Sequence, residues 1–274
     1  MTLDNRCRKE ILELLLSDQY TNLFLIDILM RRGISTLGKE KWCAVRREGN
    51  LVALAVSFGR RGKGGKARLI VPYGNGEACQ LLGKHHQDLG GSKMIIGPRE
   101  ASDCILQGMG NPKTRIHYNQ RLYACTETRP GESIKIRYAT KSDLPQLIDF
   151  SAEMIKEDLL EDPRLTRPKE HISSVQHRVE NHKTLVADRG DKICFTLNVG
   201  TFFRMGCQVG GTYVPKEFRG QGLSVKGMRA ACLMLLQRCN VVTLHVNEAN
   251  EPAIRCYHST GFQPNAAFRL SALT

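Results

Sequence analysis

Residues 207–224 read Cys207-Gln-Val-Gly-Gly-Thr-Tyr-Val-Pro-Lys-Glu-Phe-Arg-Gly-Gln-Gly-Leu-Ser224. The run begins as a short apolar strand, breaks at Pro215, and passes through Arg219-Gly220-Gln221-Gly222-Leu223-Ser224 into a helical pattern. Glycines let successive backbone N–H groups turn inward, and a helix N-terminus adds the positive end of its dipole. Strand, turn and helix start together make an anion site, for which a pyrophosphate is the natural guest. A glycine pair before a helix also fits an ordinary tight turn, so the residues that follow decide the reading.

Downstream, Val241–Val246 reads as a buried strand, followed by Asn247-Glu-Ala-Asn250-Glu-Pro-Ala-Ile-Arg-Cys-Tyr257-His-Ser-Thr-Gly261-Phe262. In this order the two stretches resemble the GNAT superfamily of acyl-CoA-dependent N-acyltransferases. The family's phosphate motif reads Arg or Gln, two residues, Gly, one residue, then Gly or Ala. Arg219 and Gly222 match it, and Ser224 departs from it with a small residue that can itself donate to phosphate. The closing signature, Asn, a short helix, Tyr, then Gly-Phe entering the last strand, falls on Asn250, Tyr257 and Gly261-Phe262. The resemblance covers roughly residues 133–270.

At 274 residues the chain has material for two domains. Hydrophobic content of 41% and charged content of 24% describe an ordinary soluble globular protein, and a cytoplasmic location is expected. No apolar run reaches the length of a membrane span, so no membrane partner is expected. The ten cysteines include no C-x-x-C pair, which favours buried free thiols over disulfides or a zinc site. The net charge of +13 suits a polyanionic ligand. The densest basic run, Gly59-Arg-Arg-Gly-Lys-Gly-Gly-Lys-Ala-Arg68, is not a Walker A loop, because Lys66 is followed by Ala67. Lying between two strand-like runs, it reads as a solvated hairpin loop.

Before this loop, residues 5–16 and 20–32 carry apolar residues at helical spacing, and Trp42–Arg47 and Leu51–Phe58 flank the hairpin signal Glu48-Gly49-Asn50. Then come a strand at Arg68–Pro72, a helix at Glu77–Gln87, a strand at Met94–Gly97, a helix at Arg99–Met109 and a strand at Ile116–Cys125. This is the order of a GNAT domain without its first strand. Its counterpart of the phosphate loop, Val71-Pro-Tyr-Gly74-Asn-Gly76-Glu-Ala, lacks the leading Arg and puts Glu77 at the helix start, where a carboxylate competes with phosphate for the dipole. Residues 1–128 therefore read as a degenerate, non-catalytic GNAT-like half. Residues 129–132 read as linker, and 133–274 as the catalytic domain, similar to tandem GNAT proteins.

In the second half, Ser133–Tyr138 alternates as a strand, and Thr140-Lys-Ser-Asp143 has the form of a capping box. A helix follows, then the acidic turn Glu157-Asp-Leu-Leu-Glu161-Asp162-Pro163, a second helix near 168–181, and strands at Leu185–Ala187 and Ile193–Val199 joined by a tight turn. Gln208–Val214 is the central strand, Val225–Cys239 the long helix, and Phe262–Leu270 the closing strand. The fold class expected is α/β (α+β), two GNAT-like domains, each a mixed, mostly antiparallel sheet flanked by helices.

The resemblance implies acyl transfer from acetyl-CoA to a primary amine by direct attack. The central strand at Thr212, Tyr213 and Val214 would hold the cofactor's pantetheine arm, and a backbone N–H near Val214 would face the thioester oxygen, a contact often worth ~3 kcal/mol. Arg219, Gly220, Gln221, Gly222, Leu223 and Ser224 would cradle the diphosphate, and Asn250 would steady the cofactor. Tyr257 takes the place of the general acid; the bland alternative is a tyrosine that packs one face and bonds at its tip. No carboxylate lies on residues 207–213, so the base is open among Glu157, Glu161, Asp162, His245, a water chain or the Thr274 carboxylate. His171, His177, His182 and the pair His85-His86 read as surface residues, and no metal is implied. The acceptor is a small-molecule or protein amine, and the chain a monomer or homodimer. Two rivals remain: a non-catalytic CoA-binding regulatory module, and an acetyltransferase drawn to a nucleic-acid-associated substrate through Arg60–Arg68.

Overall fold

The computed structural model describes residues 3–34, 40–59, 68–87 and 92–274. Of the proposed nucleic-acid contact at Arg60–Arg68, residues 60–67 lie outside the described residues. By contact the chain forms two units: residues 1–122, 245–250 and 264–274 make unit 1, and residues 123–244 and 251–263 make unit 2.

Unit 1 begins with α1 (Arg8–Leu16) and α2 (Leu23–Arg32), whose Ile11, Leu15, Leu23, Ile26 and Leu29 are buried at helical spacing. β1 (Glu40–Arg47) and β2 (Asn50–Phe58) form an antiparallel hairpin. Its two-residue turn puts Glu48 and Gly49 at φ of 49° and 82°, the left-handed pair that the sequence signal implies. β3 (Arg68–Gly74) pairs antiparallel with β2, and α3 (Gly76–Gln87) crosses over to β4 (Ser92–Pro98), which runs parallel to β3. α4 (Arg99–Gly108) and β5 (Thr114–Cys125) complete this half of the chain.

Unit 2 repeats the pattern. After β6 (Arg137–Tyr138), α5 (Leu144–Leu159), α6 (Pro163–Thr166) and α7 (Pro168–Glu180), three antiparallel strands follow: β7 (Thr184–Arg189), β8 (Lys192–Phe203) and β9 (Gly206–Tyr213). α8 (Leu223–Leu236) then crosses over to β10 (Val242–Asn247), parallel to β9, and α9 (Glu251–Thr260) precedes β11 (Gln263–Leu273). Both units are thus mixed, mostly antiparallel sheets with helices, as the sequence predicts.

Three local expectations are corrected. β6 is confined to two residues, because only Val186 and Leu185 of β7 face it across the ladder. His171 is buried and its Nε2–H donates to the Ile148 carbonyl at 2.9 Å, so it ties α7 to α5 instead of meeting solvent. His86 is likewise buried on α3. The larger difference concerns the closing strand. β11 pairs antiparallel with β4, Phe268 opposite Pro98 and Ala272 opposite Met94, and so belongs to unit 1. Its Arg269 explains the placement: a nearly buried guanidinium needs a carboxylate, and Asp103 of α4 accepts from it twice, at 2.7 and 2.9 Å.

The stretch at 129–132 is not a loose tether. Arg229 of α8 is buried and donates to the carbonyls of Arg129 at 3.0 Å, Ser259 at 3.1 Å and Glu132, while Lys226 pairs with Glu132 at 2.5 Å. Arg229 therefore fastens α8, whose N-terminus ends the glycine loop, to α9 and to the start of unit 2. All ten cysteines are free, and eight of them are buried.

Candidate functional site

Between β9 and α8 the chain turns through Lys216–Phe218 and reaches Arg219 in an extended conformation. Gly220 and Gly222 follow at φ of +77° and +70°, with Gly222 at the N-cap of α8. Left-handed backbone at alternate positions turns N–H groups toward a common point, and glycine permits it without a Cβ penalty. A Cβ built on either glycine would meet nothing within 4 Å, so the space in front of the loop is open. No side chain caps α8 and no acidic residue occupies its first turn. Its leading N–H donors and positive dipole end are therefore left for an anion. Arg189 donates to Gln221 at the same loop, adding positive charge.

Two side chains of the loop take other partners. Arg219 folds back: Nε donates to the Val214 carbonyl at 3.0 Å, Nη2 reaches Glu157 at 3.1 Å, and the guanidinium lies 5.4 Å from the Tyr213 ring centroid. Ser224 hydrogen-bonds Cys256 of α9. What these two residues present to the open space is their main chain.

β9 is irregular where the loop begins. Tyr213 faces Thr196 and Gly210 faces Asn198, so β9 spends one residue more than β8 between the two pairs. Gly211 takes the extra residue at φ +62°; a Cβ there would lie 2.3 Å from Asn198 Nδ2. The bulge lifts the end of β9 away from a regular ladder just before Val214, which lies beyond the strand's last residue.

Tyr257 on α9 is buried, its ring 6.5 Å from that of Tyr123 and 5.7 Å from that of Phe262. Its hydroxyl bonds the Thr212 side chain, and burial pushes its pKa up, so it stays protonated. Thr212, Tyr213, Val214 and Tyr257 thus come together with the glycine loop inside unit 2. Asn250 lies in the exposed turn ahead of α9, its N–H donating to the Asn247 carbonyl at 2.8 Å, and belongs to unit 1.

The base candidates separate sharply. Glu157 is held by Arg219. Glu161 accepts from Thr166 at 2.7 Å and pairs with Arg167 at 3.2 Å. Asp162 caps α6 and binds Arg164, which drops its pKa to about 2. His245 lies in unit 1 against Phe268, ring centroids 4.2 Å apart, and burial lowers its pKa to about 4, too weak a base at neutral pH. Asp158 behaves differently. It keeps solvent exposure, yet the loss of surrounding water raises its pKa, with Glu157 adding repulsion. Its charge acts on Tyr257, and it makes no ion pair among the described residues.

Asp158 lies four residues beyond Met154 and seven beyond Ser151, both of which line a pocket under α5 and α7. That helical spacing was the available signal for it. Arg178, which lines the same pocket from α7, had no such signal, because nothing in its local sequence distinguishes it from a solvated arginine.

Residues 152–262 match the sequence profile of the Acetyltransferase (GNAT) family. The segment holds a GNAT domain. Among solved structures, a GCN5-related N-acetyltransferase from Sphaerobacter thermophilus superposes with a TM-score of 0.64 at 16% identity, covering 98% of this chain and 93% of that one. A tandem GNAT protein from the clavulanic acid biosynthesis pathway, solved without AcCoA, gives 0.60 at 13% identity, covering 99% and 97%. A GNAT-family acetyltransferase from Colwellia psychrerythraea gives 0.58 at 13% identity, covering 100% and 99%. These likenesses speak for the fold. Among curated protein sequences none matches significantly. The matched GNAT segment contains the bulged β9, the glycine loop, α8 and Tyr257. Among the described residues no cluster of His, Cys, Asp or Glu could hold a metal, and no helix is long and apolar enough to cross a membrane.

Proposed function

We propose that the chain is an N-acyltransferase that moves an acetyl group from acetyl-CoA to a primary amine, with its machinery in unit 2. The observation that carries this reading is the open, uncapped loop Arg219–Ser224 within the matched segment. The residues fit the cofactor: left-handed glycines with free space before them, a helix start without acid, and Arg189 beside it. When bound, acetyl-CoA supplies a carbonyl already activated as a thioester.

The chain's own groups then have distinct tasks. The N–H groups of Gly220–Ser224 hold the diphosphate. The bulge at Gly211 and the end of β9 at Thr212–Val214 position the pantetheine arm, and the Val214 N–H meets the negative charge that develops on the carbonyl oxygen. Asp158 accepts the proton of the attacking ammonium group, since a carboxylate with a raised pKa is the better base. Tyr257, held by Thr212, donates its proton to the departing thiolate sulfur. In the same reading, residues 1–128 are the worn GNAT-like copy, 129–132 the join and 133–274 the catalytic half, with β11 lent to unit 1.

The test is to mix the protein with acetyl-CoA and a panel of amines and follow free thiol. Transfer to at least one amine is expected, with Tyr257→Phe slowing turnover by about a hundredfold or more while CoA affinity holds. CoA binding without turnover on every amine would favour a regulatory module instead. An unchanged rate in Tyr257→Phe would remove it from the mechanism.

A further inference from the structure

The pocket under α5 and α7 encloses about 280 Å³, its open mouth included, and all its walls belong to unit 2. Leu147, Phe150 and Met154 of α5 and Val175 of α7 form an apolar side. Gly211 and Tyr213 form another, and these flank Thr212, the partner of the Tyr257 hydroxyl. The pocket therefore reaches the end of β9.

One of its polar groups is a cation. Arg178 gives Nη1–H to Ser174 at 2.8 Å and Nη2–H to Ser151 at 3.3 Å. Both partners are neutral hydroxyls, and Arg178 forms no ion pair among the described residues. Its Nε is buried and has no hydrogen-bond partner among them. Burial lowers its pKa, and no neighbouring carboxylate acts in the opposite direction. Beside it, Asn198 accepts at Oδ1 from the Thr184 hydroxyl at 2.9 Å, which leaves its Nδ2 donors over Gly211.

A desolvated guanidinium without an anion is costly, and a planar carboxylate is the group its fork fits best. Elsewhere in unit 2, Arg137 holds Asp143 and Asp188, Arg164 holds Asp162 and Glu153, and the buried Arg229 gives Nε, Nη1 and Nη2 to three backbone carbonyls. Arg178 has two neutral hydroxyls and an Nε with no hydrogen-bond partner among the described residues, and it lines the pocket. We infer that the acceptor is an amine bearing a carboxylate, and that this carboxylate is bound by the Arg178 guanidinium and the Asn198 amide. This rests on the acyltransferase reading above, whose acceptor it specifies.

The test compares amines in pairs that differ in one acid group, such as glycine with glycinamide and alanine with alaninamide, on the wild type and on Arg178→Gln, Arg178→Lys and Asn198→Asp. Free thiol is followed with saturating acetyl-CoA, and binding of each amine to the CoA-loaded protein is titrated in parallel. The wild type should prefer the acid of a pair by ~30-fold or more in acceptor KM or Kd, because the neutral analogue leaves the cation unpaired. Arg178→Gln should erase the preference with CoA affinity unchanged, and Arg178→Lys should restore part of it. Asn198→Asp supplies an internal carboxylate and should also erase it, which covers the case in which Arg178→Gln fails to fold. Equal use or equal binding of acid and amide, or a preference that survives in both Arg178→Gln and Asn198→Asp, overturns the inference while leaving the acyltransferase reading intact. Failure of the wild type to bind CoA strikes that reading instead.

Discussion

The molecule makes the same turn twice, and only one copy is open. In unit 2, β9 leads through Gly220 and Gly222 to α8, with free space before both glycines and no cap. In unit 1, β3 leads through Gly74 and Gly76 to α3, and the corresponding space is filled. A Cβ on Gly74 would lie 2.4 Å from the Val52 carbonyl oxygen, and one on Gly76 would lie 2.7 Å from Glu100 Oε1. Asn75 caps the helix, its Oδ1 accepting from the Ala78 N–H at 3.2 Å, and Glu77 occupies the first turn, paired with Arg47 at 2.6 Å. Strand order, crossover and helix are shared, while ligand capacity is set by a few side chains at the turn. Donors at a helix start must be satisfied by something. In unit 1 the chain satisfies them itself, and in unit 2 it leaves them to a ligand.

The largest expected effect breaks this contrast on the open side. Gly222→Asp adds a carboxylate and a Cβ at φ +70°, and should reduce CoA affinity by a hundredfold or more, read by calorimetry on a protein whose circular dichroism is unchanged. The reciprocal change, Glu77→Gln, should not create a second CoA site, because Asn75 and Glu100 still fill that turn. A second site appearing in Glu77→Gln would mean that one charge, rather than the packing, separates the two copies.

Next in size is Asp158→Asn, expected to lower kcat by about ten- to a hundredfold. The pH profile sharpens the claim. Wild-type kcat/KM should fall as pH drops through the raised pKa of Asp158, since only its deprotonated form accepts a proton, and Asp158→Asn should flatten that limb. A limb unchanged in the variant would assign it to another group.

Much of this architecture was legible in the sequence. The Glu48-Gly49-Asn50 hairpin, the Thr140-to-Asp143 capping box and the Gly-Gln-Gly turn each declare themselves through local backbone chemistry, and each is found. Both halves could be read as one strand-and-helix order for the same reason. The fate of β11 could not, because a strand's partner is chosen by long-range pairing, here β4 and the Arg269–Asp103 contact. Nor could the roles within the acidic turn. Glu157, Glu161, Asp162 and Asp158 look alike in sequence, and only the arginines brought to three of them by the fold leave the fourth unpaired. Arg178 escaped for the converse reason: what marks it is the carboxylate it lacks.

The smallest effect concerns the frame around unit 2's site rather than its chemistry. Asp143 accepts two bonds from Arg137 and one from the Thr140 N–H, and the Arg137 guanidinium, first among the causes, lowers its pKa to about 2. A depressed carboxylate pKa contributes stability above its ordinary value, and the contribution is lost as pH falls from about 4 toward 2. Asp143→Asn should cost about 2 kcal/mol at neutral pH, and its stability should decline less than the wild type's over that acid window, measured by urea unfolding. An equal decline in both proteins would show that the pair contributes nothing to acid sensitivity.

The contrast between the open and the filled turn is tested most directly by solving the structure with CoA bound. One molecule per chain is expected, its diphosphate on the main-chain N–H groups of Gly220–Ser224 and its sulfur beside Tyr257. A diphosphate found at Asn75–Glu77, or a glycine loop left empty while CoA binds elsewhere, would contradict the account.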